Sequence, residues 1–480
     1  MVVACPPQGD LQILVMGRRM QQAASLNLPQ IIDNQKFGRP HLALTLLCAL
    51  SVLMDGFDAQ AMGFVAPALA QQWHIARGAL GPILSAGLVG MLLGALFFGP
   101  LADRFGRKPI LVFCTLWFGV FSLFTATSTS VQSMLILRLV TGFGLGGTLP
   151  NAIALTSEYM PRHLRATAVM LMFTGFSLGA AAGGFAAAEL ITRFGWQSVF
   201  VVGGLLPCAS AVLLLWLPES IRFLVLKGGE DARVASLLRK FAPTVNVLPG
   251  TSYAVDEHKE SGFPVKQLFT DGRAVMTLLL WVVFFMSLLD LYFLNSWLPT
   301  VLHDSGLALN RAIRITAMFQ IGGAVGALVL GRIFDHYKSY RALALAYVGA
   351  SLSVFLIGML GASVGLQALA VFIAGICVVG GQTGSNAMAA ESYATSIRST
   401  GVGWSLGIGR IGSIVGPVVG GILLSSHLEM RRVFWAAAVP PLIAVAAVVI
   451  LNQRTKRDAT EPITSQLNTP RLKTTQSSTI

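Results

Sequence analysis

Asp55-Gly56-Phe57-Asp58-Ala59-Gln60 lies inside an apolar run from Leu42 to Leu69. A run of that length crosses a bilayer, for which about 20 apolar residues suffice. Two carboxylates in the middle of a span are expensive, at about 2.5–3.5 kcal/mol each near a helix centre. Such groups persist where they bind, pair or carry protons. Asp55 and Asp58 are three positions apart and share one face of a helix.

Outward from this stretch, the composition fixes the class. The 480 residues are 54% hydrophobic and only 11% charged, against about 25% charged in soluble domains. The chain reads as an all-α polytopic membrane protein. Twelve spans follow, near 42–69, 79–102, 109–127, 131–157, 166–190, 197–217, 274–302, 312–334, 341–361, 364–390, 399–425 and 432–451. The net charge of +13 invites a nucleic-acid reading, which its distribution excludes. With the N-terminus inside, 26 of the 34 Lys and Arg fall on inner segments and six on outer loops, with Arg138 and Arg410 within spans. That asymmetry places both termini and the 218–273 segment in the cytoplasm. The five cysteines show no metal or disulfide spacing, so neither metal nor cofactor is expected. Leu11–Met16 precedes Arg18 and Arg19, the wrong order for a secretory signal, and Met20 is expected as the true initiator.

The chain repeats itself. Glu158, Arg165 and Thr167 recur 233 positions later as Glu391, Arg398 and Thr400, and Gly99 and Asp103 recur 232 positions later as Gly331 and Asp335. A half-chain repeat predicts two six-helix bundles. The expected division is a cytoplasmic segment 1–40, bundles 41–217 and 274–452, a linker 218–273 and a tail 453–480. Nothing in 1–35 or 453–480 reads as a folded domain. Gly142, Gly144, Gly146 and Gly147 suit close helix approach.

Charges within spans are the candidate site. Asp58 lies about 16 residues, roughly 24 Å, into an outward-running span, and Arg138 about 7 residues, roughly 10 Å, below the outer face. In a core about 30 Å thick these depths nearly coincide. Arg138 is therefore either a counter-charge to Asp55 or Asp58, or a base snorkelling to the headgroups. Arg410 lies near the midplane and needs an anionic partner, either a substrate carboxylate or Asp290. Asn151, Gln382 and Asn386 stand in glycine-rich spans, as suits a cavity lining. Tyr292, Trp297, Trp404 and Phe57 offer faces for stacking an aromatic ligand. The inner loop Gly99-Pro-Leu-Ala-Asp103-Arg104-Phe-Gly106-Arg107-Lys108 sets Asp103 among bases. It, with Glu158 and Arg165 and with Glu391 and Arg398, resembles the inner gate motifs of a transporter superfamily, which implies ion pairs that form in one state and break in the other.

That loop resembles the signature of the major facilitator superfamily. Asp55-Gly-Phe-Asp58-Ala-Gln60, Arg138-Leu-Val-Thr-Gly-Phe-Gly-Leu-Gly-Gly-Thr-Leu-Pro-Asn151, Trp216-Leu-Pro-Glu-Ser220, Ser296-Trp-Leu-Pro-Thr300 and Ser405-Leu-Gly-Ile-Gly-Arg410 resemble its aromatic acid:proton symporter family, over residues 40–450. Asp335 matches the loop pattern only in part, with His336 and Tyr337 where a base is usual, and Asp290 has no counterpart in the pattern. The resemblance implies a secondary transporter, not an enzyme, of the bacterial inner membrane. It would import a benzoate-like carboxylate with protons, and a monomer suffices. It assigns functional weight to Asp55, Asp58, Asp103, Arg138, Arg398 and Arg410. The alternative is a drug/proton efflux antiporter. Its usual Gly-Pro-x-x-Gly-Gly run is missing from span five, while Gly416-Pro-Val-Val-Gly-Gly421 falls in span eleven.

Overall fold

In the computed structural model, the described residues are 25–243, 252–254, 264–270, 272–336, 339–360, 363–393, 397–426 and 428–460. Strand β1 (Ser25–Asn27) and helix α1 (Leu28–Asp33) precede the spans. The first half comprises α2 (Arg39–Trp73), α3 (Leu80–Phe105), α4 (Arg107–Ala126), α5 (Val131–Tyr159), α6 (Arg165–Phe194) and α7 (Gln197–Leu214). The connecting segment holds α8 (Ile221–Lys227), α9 (Asp231–Phe241), β2 (Ser252–Ala254) and α10 (Pro264–Gln267). The second half comprises α11 (Ala274–Asp304), α12 (Leu309–His336), α13 (Ser339–Met359), α14 (Val364–Ser392), α15 (Arg398–Ser425), α16 (Met430–Ala437) and α17 (Val439–Thr460). Among the described residues, twelve segments are long and apolar enough to cross a membrane, the last running from α16 into α17.

Two of the spans open on clear helix-start signals. Ser130 accepts the Ser133 amide at 3.2 Å to open α5, and Pro40 sits in the first turn of α2, where its missing N–H is harmless. Large apolar side chains such as Leu96, Val212, Leu345 and Ile422 stand exposed on the outside of the bundle, where only lipid would cover them.

The repeat in the sequence is a repeat in packing. Helix α2 packs on α6 and α3 on α5; α11 packs on α15 and α12 on α14 in the same way. The closest approaches correspond. A Cβ on Gly142 would collide with the Gly87 carbonyl, and one on Gly375, 233 positions later, with the Phe319 carbonyl. The halves meet through α2 against α11, α3 against α15 and α6 against α12.

One expectation is corrected. Residues 25–33 do not lie outside the fold: β1 pairs in parallel with β2 across the connecting segment. Leu28 and Ile32 are buried in one cluster with Leu238 and Phe241. These elements are far shorter than a span, so a search for spans passes over them.

Candidate functional site

The paired-aspartate face of α2 looks into the bundle, and both carboxylates are fully buried. The arginine finds one of them. Arg138, on α5, places Nη1 3.1 Å from Oδ2 and 3.2 Å from Oδ1 of Asp58, and its Nη2 donates to the Asp58 carbonyl at 3.2 Å. Ser122 of α4 donates to Asp58 Oδ1 at 3.3 Å. The guanidinium carbon lies 5.6 Å from the Phe200 ring centroid, a cation–π arrangement. Only 4% exposed, Arg138 does not snorkel.

Asp55 is treated differently. Neither of its oxygens has a hydrogen-bond partner. Buried away from water, it forms no ion pair among the described residues; Arg410, from the other half, acts on it only at longer range. Arg410 itself donates to the Tyr292 hydroxyl at 3.4 Å. It does not pair with Asp290, whose two oxygens have no hydrogen-bond partner. The reason is helical geometry: Asp290 and Tyr292 are two positions apart on α11 and point to different sides. An arginine facing Tyr292 faces away from Asp290.

A narrow cavity between the halves reaches Arg138 and Tyr292, lined also by Gln60, Gly63, Asn295 and Ser296 among others. Its volume of about 20 Å³ holds a water but no aromatic ring. Gln320 donates to Asn295 at 2.9 Å, and the Gln60 amide nitrogen has no partner. Gln60 and Asn295 are lining residues that the sequence reading passed over. Their signal was a polar amide in mid-span, the same signal that selected Asn151.

The other expected lining residues are not all brought here. Trp297 is fully buried, donates to the Pro417 carbonyl at 2.9 Å and packs on Gly420, so it joins α11 to α15. Asn151 donates within its own helix to Gly147 at 2.7 Å. Gln382 is half-buried with Oε1 unpartnered, and Asn386 is exposed. Trp404 stacks on Trp281 with centroids 6.0 Å apart, and Phe57 packs on Gly183 and Gly203.

At the end that carries the linker, the charges form a different set from the one the loop motif suggested. Asp103 is 73% exposed and reaches Arg107 only at 3.7 Å. Arg107 pairs with Glu158 at 3.2 Å. The start of α4 is capped by Glu219, whose Oε1 accepts the amides of Arg107 at 2.9 Å, Lys108 at 3.1 Å and Ser220 at 2.8 Å. Gly106 makes the approach possible, with φ +104 and no Cβ to meet the Glu219 carboxylate. Arg104 lies over the Phe105 ring. Arg165 pairs with Asp33 at 2.7 Å and not with Glu158. Glu391 and Arg398 are exposed at the end of α14 and the start of α15. The side chains of Asp335 and His336, and all of Tyr337, lie outside the described residues.

At the opposite end, polar contacts cross between the halves. Arg77 pairs with Asp304, Gln71 meets His303 at 2.7 Å, and Arg314 reaches Glu189 at 3.5 Å.

Twelve spans in two repeated halves around a buried charged interface define a membrane carrier. A sequence model of the Major Facilitator Superfamily matches residues 48–376 and 280–476. The 4-hydroxybenzoate transporter PcaK of Pseudomonas putida is 43% identical over 91% of this chain and 98% of its own. The gallate transporter of Pseudomonas putida is 41% identical, over 92% and 98%. The 3-(3-hydroxy-phenyl)propionate transporter of Escherichia coli K12 is 39% identical, over 87% and 95%. The inward-open xylose transporter XylE of Escherichia coli superposes with a TM-score of 0.69 at 15% identity, over 86% of this chain and 95% of that one. The chain belongs to the major facilitator superfamily, in the group that holds these aromatic acid transporters. It is a transporter and not an enzyme.

Proposed function

We propose that the protein imports an aromatic carboxylate of the hydroxybenzoate type together with protons, by alternating access across a bacterial inner membrane. The observation that carries this is the division of labour on one helix face. Asp58 is held by Arg138, while Asp55 has no hydrogen-bond partner and shares the charge of Arg410. Arg410 and Tyr292 offer donors matched to a carboxylate. One guanidinium compensates one anion well. When the substrate carboxylate takes Arg410, Asp55 loses its counter-charge and takes a proton. Acid and proton then bind in the same cycle, which is the requirement for symport.

The cavity supports the same cycle from another side. At about 20 Å³ it must open before a ring can enter. Closed contacts at the end away from the linker fit a form that faces the linker side, and the Lys and Arg asymmetry puts that side in the cytoplasm with both termini. The bundles 41–217 and 274–452 would rock about the interface as units, with one chain sufficient for the path. The names of the relatives support the substrate class.

The test is uptake of radiolabelled 4-hydroxybenzoate by proteoliposomes holding the purified chain. Accumulation is expected with an inward proton gradient and is expected to collapse with a protonophore. Accumulation that ignores the protonophore, or that persists unchanged in Asp55→Asn, overturns the reading.

A further inference from the structure

Among the described residues, Asp290 is the one buried carboxyl in the spans that this cycle leaves unused. It is 1% exposed, both oxygens lack a hydrogen-bond partner, and it lies 232 positions after Asp58, the displacement that relates Gly99 to Gly331. It is therefore the repeat counterpart of the aspartate that Arg138 holds. The arginine was not repeated. The position 233 after Arg138 is Val371, fully buried.

One turn before Asp290, Ser287 lies beside Tyr347 of α13, whose hydroxyl meets Ser385 of α14 at 2.7 Å. Among the described residues, the helices packed on α11 bring no cation into contact with it. Helix α2 carries Asp55 and Asp58 in mid-span, and α15 carries Arg410, turned to Tyr292. The ionisable groups of α12, α14, α16 and α17 lie toward their helix ends: Arg311, Arg314, Arg332, Asp335, Glu391, Arg431, Arg432 and Arg454 onward. A carboxyl shut from water without a cation holds its charge poorly, and hydroxyls both donate to its ionised form and accept from its protonated form.

We infer that Asp290 is a second proton-binding site, in the C-terminal half, loaded and emptied once per transport cycle. This rests on the proton-coupled reading above. The step moves one proton from solvent to a carboxylate oxygen and back, with no other reactant. Its consequence is stoichiometric. A monoanion carried with two protons moves one net positive charge inward, whereas one carried with a single proton moves none.

The experiment uses full-length protein in proteoliposomes, radiolabelled 4-hydroxybenzoate, and a potassium gradient clamped with valinomycin at fixed pH. With one net charge per cycle, a tenfold potassium gradient raises wild-type accumulation about tenfold. Asp290→Asn is expected to lose this response and to keep exchange of labelled for unlabelled substrate within about twofold, while Asp290→Glu restores the response. Wild-type accumulation that follows the proton gradient but not the potential overturns the second site alone, whether or not Asp290→Asn is recovered in the membrane. A potential response unchanged in Asp290→Asn also overturns it. Wild-type accumulation indifferent to protons altogether refutes the symport reading first and this inference with it.

Discussion

Arg138 and Asp58 meet 3.1 Å apart in the interior, while Asp55, one turn earlier on the same face, receives no hydrogen bond from any described residue. Two aspartates that look interchangeable in sequence are thus in two electrostatic situations. One is held by a guanidinium and a serine within its own half, and the other makes no ion pair and no hydrogen bond among the described residues.

Breaking the first situation from one side should cost more than removing it. Arg138→Leu leaves Asp58 as an uncompensated buried charge, a change worth about 3–5 kcal/mol. The double variant Arg138→Leu with Asp58→Asn should recover much of that loss. Thermal unfolding of the four proteins in detergent checks this, and additive losses would show that the pair does not interact as described.

Arg410→Lys keeps the charge but loses the planar fork. The KM for 4-hydroxybenzoate should rise about tenfold, equivalent to about 1.4 kcal/mol. Tyr292→Phe should raise it less, since only the partner of Arg410 is removed. Initial-rate uptake over a range of substrate concentrations measures both, and an unchanged KM in Arg410→Lys removes this residue from binding.

Trp297 is expected to act on stability and not on recognition. A Cβ at Gly420 would strike the Trp297 indole. Gly420→Ala should therefore destabilise the protein by about 1–3 kcal/mol, with the KM of the folded fraction unchanged. A KM shift without a stability loss would return Trp297 to the binding site.

The linker-side charges make a contrast within one loop. Glu219→Ala strips acceptors from two amides at the start of α4 and should cost about 1–3 kcal/mol. Asp103→Ala removes a long contact on an exposed side chain and should cost well under about 1 kcal/mol. Unfolding midpoints for the two variants side by side are the measurement, and the reverse order would refute this account of the loop.

If the contacts at the end away from the linker must part in each cycle, tethering them should stop transport. Cysteines at positions 71 and 303, in a background lacking the native cysteines and joined by a flexible bis-maleimide, should abolish uptake while leaving substrate binding measurable. Full uptake after complete cross-linking would show that this end does not open.

The fold was legible because its determinants are long-range in composition and short-range in chemistry. Twelve apolar runs and a displacement of 232–233 positions predict twelve helices in two halves, and the structure has them. Depth arithmetic brought Arg138 level with the aspartates. It could not choose between them, because the choice depends on how α2 is rotated against α5. The Arg410–Asp290 alternative failed for a related reason: residues two apart on α11 look in different directions, which span counting ignores. Glu219 was quoted within a motif but given no role, since its partners are backbone amides that any sequence possesses. Trp297 was read by residue type, and the glycine that makes it a packing residue lies over a hundred positions away.

A carrier that spends a gradient must also conserve it. The cavity beside Arg138 and Tyr292 admits a water molecule and little more. No hydrated ion fits at that level, so the same tight closure that obliges a substrate to wait for movement makes the resting protein an electrical insulator. A variant that widened this gap would be expected first to leak, discharging the membrane before any defect in recognition could be seen.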